Sequence, residues 1–345
     1  MPITQIAAGR GFTYLDNMGR FGNSGPAFQH PVDVARRGDI LYIANASDEY
    51  NYGNRVTKCT LNHEWIMDIG LPGPGGGIVV RLVDEIGDGQ FLWPGGIALD
   101  QEDNTFLTDQ PCNKIVMFKS DGTFLGKWGT LGSGDGEINT PSGIAFDKEE
   151  DLLIADTHNH RVQKFTKDGR FLGKFGSYGN KEGEFNLPWG ICLDKAGDIY
   201  VADWGNDRVQ KFSSNGEYLT TFGRPGTGKG ELTRPSDVAV DKDGDIYVCD
   251  WGNDRVHVYK ANGDFLVTLV GEAREPSLWY QMSLDANPDL IKARNRVDLE
   301  PEKLFRRPTA VDVGDDYKII IVESRRHRIQ IYQKDPKYQD VRLNI

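Results

Sequence analysis

The chain repeats a short segment at a fixed interval, and this repeat limits the folds open to it more than any other feature. Three heptapeptides begin with proline and end with aspartate after an apolar stretch, at residues 141–147, 188–194 and 235–241. Their spacing is constant, because 188 − 141 = 47 and 235 − 188 = 47. A period of this length is typical of arrays in which one supersecondary unit is copied and neighbouring copies share a core.

Each copy has the pattern of four short strands. In the copy that starts at Pro188, apolar and polar residues alternate as in half-buried strands, and turn-forming pairs such as Asn215 and Gly216 separate them. The predicted strands are residues 190–194, 198–202, 208–212 and 217–222. A glycine-rich link then leads to the next proline.

The same order of features occurs six times along the chain. The opening prolines are Pro31, Pro94, Pro141, Pro188, Pro235 and Pro308. The second predicted strand ends in a polar residue each time, at Asn45, Asp109, Asp156, Asp203, Asp250 and Glu323. Antiparallel units with two faces to bury stack radially, so the sequence predicts an all-β fold: a six-bladed β-propeller of four-stranded antiparallel blades, forming one domain over residues 1–345.

Three copies carry a longer signature. Residues 156–165, 203–212 and 250–259 each begin with aspartate and place an Arg-Val pair five residues later. These segments resemble NHL repeats, and the resemblance extends over residues 30–333, more loosely in blades 1, 2 and 6. It implies a six-bladed propeller. It implies no single activity, because NHL propellers include RNA binders, protein-interaction modules, extracellular sensors and lyases.

Closing the ring requires a strand from one end of the chain. The last blade supplies three predicted strands, at residues 309–313, 318–322 and 328–332. The sources of a fourth are residues 3–8, the neighbourhood of Phe21 and Gly22, and residues 341–345. We expect the N-terminal region to close the ring, since Gly22 precedes Pro31 much as Gly176 precedes Pro188, although with a shorter spacing.

Charge and composition narrow the function classes. The chain has 51 acidic and 40 basic residues, a net charge of −11, which disfavours nucleic-acid binding because that affinity comes largely from Lys and Arg on phosphates. No apolar run approaches the ~20 residues that span a bilayer, and the N-terminus lacks the pattern of a secretory signal. The four cysteines have no CxxC spacing, so we expect free thiols and a cytoplasmic location.

Three elongated segments are expected on one face of the propeller. The first strand of each blade is expected to run away from the face that carries the opening prolines, which we call the proline face. The tight turns after the first and third strands then lie on the opposite face. The connections after the second and fourth strands lie on the proline face. The elongated connections are residues 45–54, 71–93 and 271–307. Functional residues are commonly placed on such loops of a rigid scaffold.

The longest of these inserts, residues 271–307 between blades 5 and 6, is predicted to contain helices. Ser277 is suited to cap a helix over residues 278–284, and Asn287 with Pro288 is suited to start another over 288–296. This pair either covers the mouth of the central channel as a lid or packs beside blades 5 and 6.

An asymmetric set of side chains is expected at the channel mouth. The residues before the opening prolines include His30, Trp93, Arg234 and Arg307, and those just after them include Asp33, Trp189 and Asp237. The loops after the second strands add Tyr50, Tyr52, His158, Trp204 and Trp251 to the same face. A largely apolar wall with a few polar groups is typical of a ligand pocket, so we predict that a small molecule, a protein or a peptide binds here. Alternatively, the arginines and aspartates pair across blades and the tryptophans wedge between them.

A lyase or hydrolase that uses this pocket is the alternative function, with His30 as general base and Asp33 or Asp237 orienting it or holding a divalent cation on the axis. NHL-type amidating lyases place zinc-binding histidines directly after the opening prolines. Here those positions hold Val32, Gly95, Ser142, Trp189, Ser236 and Thr309, which argues against that activity. His158, His160 and Cys112 lie on neighbouring loops as candidates for a soft metal site, although such histidines are more often polar surface.

Overall fold

The computed structural model describes residues 4–47, 53–72 and 86–337. These residues form six antiparallel sheets, five of four strands and one of five, together with a short parallel pairing of Leu71–Pro72 with Gln90–Phe91. The first strands contact one another around a central axis, and the second, third and fourth strands follow outwards in chain order. The predicted six-bladed propeller of antiparallel blades is therefore confirmed.

The blade strands have similar lengths throughout the ring. Blades 1 and 2 contain Pro31–Arg37, Ile40–Asn45, Arg55–Thr60 and Trp65–Ile69, then Pro94–Leu99, Thr105–Asp109, Lys114–Phe118 and Phe124–Trp128. Blades 3 and 4 contain Pro141–Phe146, Leu152–Asp156, Arg161–Phe165 and Phe171–Phe175, then Pro188–Leu193, Ile199–Asp203, Arg208–Phe212 and Tyr218–Phe222. Blade 5 contains Pro235–Val240, Ile246–Asp250, Arg255–Tyr259 and Phe265–Leu269, and blade 6 contains Pro308–Val313, Lys318–Glu323 and Arg328–Lys334.

The core lies between blades and not at the axis. Buried apolar side chains form six clusters, and each cluster joins two neighbouring blades. Between blades 3 and 4, for example, Leu153 and Val162 pack with Val201 and Phe212. A single blade cannot bury both of its faces, so each blade is stabilised by its two neighbours.

Two N-terminal strands complete blade 6. Arg10–Met18 pairs antiparallel with Arg328–Lys334 as the fourth strand, and Thr4–Ala7 adds a fifth. The N-terminal region thus closes the ring, but the predicted correspondence between Gly22 and Gly176 is wrong. Gly19 corresponds to Gly176, because 31 − 19 = 12 and 188 − 176 = 12, and the bridge between Phe21 and Phe28 corresponds to the one between Tyr178 and Phe185. Residues 341–345 lie outside the described ranges.

The insert contains three helices: α1 (Leu278–Ala286), α2 (Pro288–Arg294) and α3 (Glu300–Lys303). The helical insert predicted between blades 5 and 6 is confirmed, and the side chains of Ser277 and Asn287 cap α1 and α2 as expected. The third helix was not predicted; its Pro301 lies in the first turn, where proline is tolerated. No helix in the described ranges is both long and apolar enough to cross a bilayer.

The insert packs against the outer edge of the ring. Trp279 is buried with Met18, Phe28 and Leu61, and its indole N–H donates to the carbonyl of His63 at 2.8 Å. His63 lies in the turn between the third and fourth strands of blade 1, which is on the face opposite the prolines. Helix α1 therefore follows the side of blades 6 and 1, a different place from both the lid over the mouth and the position beside blades 5 and 6.

A buried polar residue at the end of each second strand anchors the neighbouring loops. In blade 4, Asp203 accepts hydrogen bonds from the backbone of Asn186 at 2.8 Å and from the side chains of Asn206 and Arg208 at 2.9 and 2.8 Å. Equivalent backbone bonds reach Asn45, Asp109, Asp156, Asp250 and Glu323. These acids and arginines satisfy loop backbone groups, which is a scaffold role.

A buried ion cluster ties the closing strands to blade 5. The ammonium of Lys334 lies 2.6 Å from Asp241, 3.0 Å from Asp243 and 2.7 Å from Asp245, and its side chain is fully buried. Arg10, from the N-terminal strand, also contacts Asp245 at 2.7 Å. Both ends of the described chain are thereby fixed to one hairpin.

The substitution Lys334→Met is expected to lower the free energy of unfolding by about 3 kcal/mol, because it removes the cation that contacts the buried carboxylate of Asp241. Urea unfolding monitored by tryptophan fluorescence measures this. Lys195→Met is the matched control, since Lys195 and its partner Asp315 are 66% and 82% exposed, and a change within about 0.5 kcal/mol is expected there. An equal effect of both substitutions would contradict the role of the cluster.

His257 occupies a position that holds glutamine in blades 3, 4 and 6. At the equivalent position, Gln163 and Gln210 donate to link carbonyls at 2.7 Å and to the anchoring aspartates. The Nε2 atom of His257 is buried, and among the described residues it has no hydrogen-bond partner. Burial, together with nearby Arg255, lowers the pKa of His257 to about 3.

His257→Gln is expected to stabilise the protein and reduce its acid sensitivity. The unfolded histidine takes up a proton below its ordinary pKa near 6.5, whereas the folded one stays neutral to about pH 3, so stability is lost as pH falls through this window. Between pH 6.5 and 5, His257 is expected to lower the free energy of unfolding of the wild type by about 2 kcal/mol. Thermal unfolding at pH 5 and 7 measures it, with His158→Gln on an exposed loop as control. An unchanged pH dependence in His257→Gln would argue against this account.

Candidate functional site

The residues that precede the opening prolines are held in a strained backbone conformation around the channel mouth. Their φ angles are 39° at His30, 54° at Thr140, 56° at Leu187 and 52° at Arg234 and Arg307. Left-handed backbone is unfavourable for residues other than glycine, so the surrounding contacts must impose it. These five residues are therefore fixed parts of the rim.

A hydrogen bond across five of the six seams holds this conformation. The backbone N–H of the residue before the proline donates to a side chain of the preceding blade. The residue that accepts this bond ends the loop between the second and third strands of its blade, and its own backbone is also left-handed. The acceptors are Asn113 for Thr140 (2.7 Å), His160 for Leu187 (3.1 Å), Asp207 for Arg234 (2.6 Å), Asp254 for Arg307 (2.6 Å) and His327 for His30 (3.1 Å). Each of these five bonds thus fixes the backbone of one residue at the rim of the channel.

The mouth cavity, of about 530 Å³, lies at the proline face of the axis. Six of the predicted site residues line it: His30, Trp93, Trp189, Trp204, Trp251 and Arg307. Of residues 271–307, only Arg307 contributes to the wall, as expected from the side position of the helical insert.

Indole rings form one side of this mouth cavity, and two of them carry a stacked arginine, of which Arg307 lines the cavity and Arg234 does not. The rings of Trp189 and Trp204 lie 6.3 Å apart at an angle of 35°. The guanidinium of Arg234 lies over Trp204 at 4.8 Å, and that of Arg307 lies over Trp251 at 4.3 Å. Both arginines are exposed, and neither is paired with a carboxylate of the described residues. The expected ion pairing across blades is thus replaced by stacking on indoles.

Glycine allows the tryptophan loops to turn inwards. A Cβ added at Gly205 would lie 2.6 Å from Asn186, and one at Gly252 would lie 2.6 Å from Thr233. Both glycines also donate their backbone N–H to the link, at 2.7 and 2.8 Å. The glycines pack against the link, which leaves the preceding indoles on the cavity side.

Below the mouth, the channel is acidic. A narrow cavity of about 110 Å³ continues along the axis and is lined by Asp33, Asp237 and Asp312. Burial raises the pKa of Asp33 to about 7 and that of Asp312 to about 6, and burial together with Asp33 raises the pKa of Asp237. Asp33 accepts backbone hydrogen bonds from Val34 and Ile97 at 2.8 Å. Burial therefore makes these carboxyl groups harder to ionise than exposed aspartates.

The remaining predicted site residues lie apart from the mouth cavity or outside the described ranges. His158 bonds the hydroxyl of Thr140 at 3.0 Å and does not line the cavity, and Tyr50 and Tyr52 fall outside the described residues. His160 accepts from the backbone of Leu187, and Cys112 bonds Asp109. Within the part of the chain that the structure describes, no three His, Cys, Asp or Glu side chains are grouped to hold a metal ion.

Sequence reasoning missed several residues of the mouth cavity, including Gln110, Ser324 and Arg325. Alignment of the repeats would have found them, because Gln110 and Ser324 directly follow the anchoring acid, as Trp204 and Trp251 do. Ser236 and Thr309, considered only as positions without a zinc ligand, also line the wall.

Comparison with known proteins agrees with this architecture. Residues 139–165, 185–212 and 232–259 match the NHL repeat, in blades 3, 4 and 5. The chain therefore contains three NHL repeats within a six-bladed β-propeller. No curated protein sequence matches it.

Solved structures with the same fold have diverse functions. Virginiamycin B lyase from Staphylococcus aureus, an inactive form with quinupristin, superimposes with a TM-score of 0.56 at 13% identity, covering 93% of this chain and 99% of that chain. A gluconolactonase from Xanthomonas campestris has a TM-score of 0.58 at 12% identity, covering 97% and 95%. The WD40 propeller domain of Doa1 has a TM-score of 0.53 at 11% identity, covering 93% and 97%. At these identities the similarity shows the fold alone.

Asp33→Asn is expected to reduce the loss of stability between pH 5 and 8. The unfolded carboxyl releases its proton near pH 4 and the folded one near pH 7, so the unfolded state is favoured as pH rises through this window. In Asp33→Asn, the difference between the free energies of unfolding at pH 5 and pH 8 should be smaller than in the wild type by about 2 kcal/mol. Thermal unfolding across this range tests it, with Asp285→Asn on helix α1 as an exposed control; identical pH profiles for wild type and Asp33→Asn would refute the prediction.

Proposed function

We propose that the protein binds a small organic ligand in the mouth cavity, with aromatic or apolar surface against the tryptophans and an anionic group at the arginine rim. The observation that carries this proposal is the convergence of four indoles and of unpaired arginine charge on one cavity of about 530 Å³. Cavities of roughly 300–1,000 Å³ are typical of small-molecule sites.

The distribution of charge supports one orientation of the ligand. Arg307 and Arg325 line the upper wall, whereas Asp33, Asp237 and Asp312 line the channel below. An anionic group is favoured near the guanidinium groups and disfavoured near the carboxyls. The uncharged end of the ligand is therefore directed towards the axis.

The depth of the site supports a small ligand more than a protein surface. Val32, Gly95, Trp189, Ser236 and Thr309 line both the mouth cavity and the narrow channel, so the two are continuous. A site for protein docking alone would be shallow. A flat aromatic group can stack against the exposed faces of these indoles, which contributes about 1 kcal/mol beyond the area it buries.

The contacts of the catalytic candidates give less support to a lyase or hydrolase. His30 lines the mouth, but the oxygens of Asp33 accept backbone N–H groups from Val34 and Ile97, and Asp237 accepts from Val311 at 2.9 Å. These bonds join the first strands of adjacent blades. The aspartates therefore have a sufficient role in the scaffold, and binding is the function that the geometry favours.

Binding of 8-anilinonaphthalene-1-sulfonate, an aromatic anion, tests the proposal. We expect saturable fluorescence enhancement with the folded protein, and an affinity lower by about tenfold or more for Trp204→Ala/Trp251→Ala, because each lost stacking contact costs on the order of 1 kcal/mol. Trp65→Ala is the control, since Trp65 is an exposed residue on the outer strand of blade 1.

A second, uncharged probe distinguishes the contribution of the arginine charge to binding from that of stacking on the indoles. Arg234→Ala/Arg307→Ala should weaken binding of the sulfonate but not of the uncharged N-phenyl-1-naphthylamine, which lacks the group that the arginines attract. Circular dichroism and thermal unfolding establish that each variant is folded. Equal affinity of wild type and both double variants for the sulfonate would refute the proposed function.

A further inference from the structure

A second cavity lies away from the axis, between the helical insert and blade 6. This side cavity has a volume of about 170 Å³, and its wall includes Arg20, Tyr280, Arg294, Arg326, His327 and Arg328. Its share of arginine contrasts with the acidic balance of the whole chain. Two histidine rings separate the side cavity from the mouth cavity. His327 lines the side cavity, His30 lines the mouth cavity, and the centroids of the two rings are 4.8 Å apart.

Arg326 departs from the repeat at a position that is asparagine in blades 3 to 5. In blades 3, 4 and 5 this position holds Asn159, Asn206 and Asn253, and each amide donates to the anchoring aspartate and to a link carbonyl. The guanidinium of Arg326 instead extends to the insert, where it donates to the carbonyl of Pro301. The substitution gives up a scaffold contact and places a cation in the side cavity.

The carboxylates nearest to Arg326, those of Glu302 and Glu323, pair with other arginines, Arg294 and Arg328. Its Nε atom is buried, and no acceptor in the described ranges lies within hydrogen-bond distance of it. Burial and the adjacent Arg328 lower the pKa of Arg326, and the opposing effect of Glu323 and Glu302 does not offset them. A buried donor without an acceptor is costly, so the group is suited to receive one.

Arg20 supplies a second cation without a carboxylate among the described residues. Its guanidinium donates to two neutral oxygens, the carbonyl of Pro26 at 3.0 Å and the hydroxyl of Ser283 in α1 at 2.7 Å. The corresponding residue in the link before blade 5, Arg224, is 76% exposed and pairs with Glu231. The same backbone position thus carries a paired surface arginine in one link and an arginine facing neutral groups in the other.

The acidic side chains of the cavity wall do not cancel these charges. Arg294 pairs with Glu302 at 2.6 Å, and Arg328 pairs with Glu323, which lies behind the wall. Glu275 is exposed. After these two pairs are counted as neutral, the wall retains two cations, Arg20 and Arg326, and one anion, Glu275. The side cavity therefore has a net positive charge.

We propose that the side cavity binds a small oxyanion, such as phosphate or a carboxylate, between Arg20 and Arg326. Guanidinium groups present donors in a fork that matches the oxygens of both anions. The volume equals that of roughly five or six waters at about 30 Å³ each, which is sufficient for a tetrahedral oxyanion. The bound anion would connect α1, the link before blade 1 and blade 6, and so would stabilise the docking of the insert.

Binding of inorganic phosphate to the full chain tests this proposal. Isothermal titration and thermal unfolding at constant ionic strength, with chloride as the reference anion and acetate as a carboxylate, should show saturable binding to one site and a raised Tm. Arg326→Asn introduces the residue of blades 3 to 5, and Arg20→Gln removes the second cation. Each is expected to weaken phosphate binding by about tenfold or more, since hydrogen bonds to charged groups contribute roughly 1.5–3 kcal/mol.

Arg224→Gln is the matched control, because it removes an arginine from the equivalent position of another link and should leave phosphate affinity unchanged. Trp204→Ala/Trp251→Ala should also bind phosphate normally, which keeps the side cavity and the mouth cavity distinguishable. If Arg326→Asn does not fold, Arg20→Gln alone decides. Absence of phosphate binding to the wild type, or equal binding by Arg20→Gln and Arg224→Gln, would overturn the proposal.

Discussion

The buried polar residue at the end of each second strand is the contact on which the rest of the structure depends. In a propeller, the loops at the mouth have few apolar contacts of their own, and their backbone groups must be satisfied by hydrogen bonds. Asp203 and Asp250 provide these bonds by accepting from the link, from an asparagine and from an arginine. Desolvation of the carboxylate is offset only because all of these donors are present, which explains why the whole motif is repeated as a unit.

Since this scaffold is fixed, positions next to it can vary without loss of the fold. The residue after the anchoring acid is Trp204 in blade 4, Gln110 in blade 2 and Ser324 in blade 6, and all three side chains line the mouth cavity. The repeat therefore supplies the backbone of the site, while single substitutions supply its chemistry. Arg326 follows the same rule in the side cavity, where a scaffold asparagine is replaced by a cation.

The two cavities differ in what they can attract. The mouth cavity combines large aromatic surface with arginine at its rim and leads into a channel of carboxyl groups, so it discriminates between the two ends of a ligand. The side cavity is smaller and has mainly guanidinium groups in its wall, so charge dominates there. Both depend on arginines that stack or donate to neutral groups, an arrangement that leaves their charge available to a ligand.

Local signals in the sequence determined the number of blades, the strands, the helix caps and the positions that surround the mouth, because turn residues and strand alternation repeat within 47 residues. Tertiary structure decided the rest. Helix α1 lies at the side because Trp279 finds a buried place against blades 6 and 1, and such long-range packing has no signature in the spacing of residues. Likewise, stacking of Arg234 on Trp204 joins residues 30 positions apart, since 234 − 204 = 30, and only the radial order of the blades brings them together.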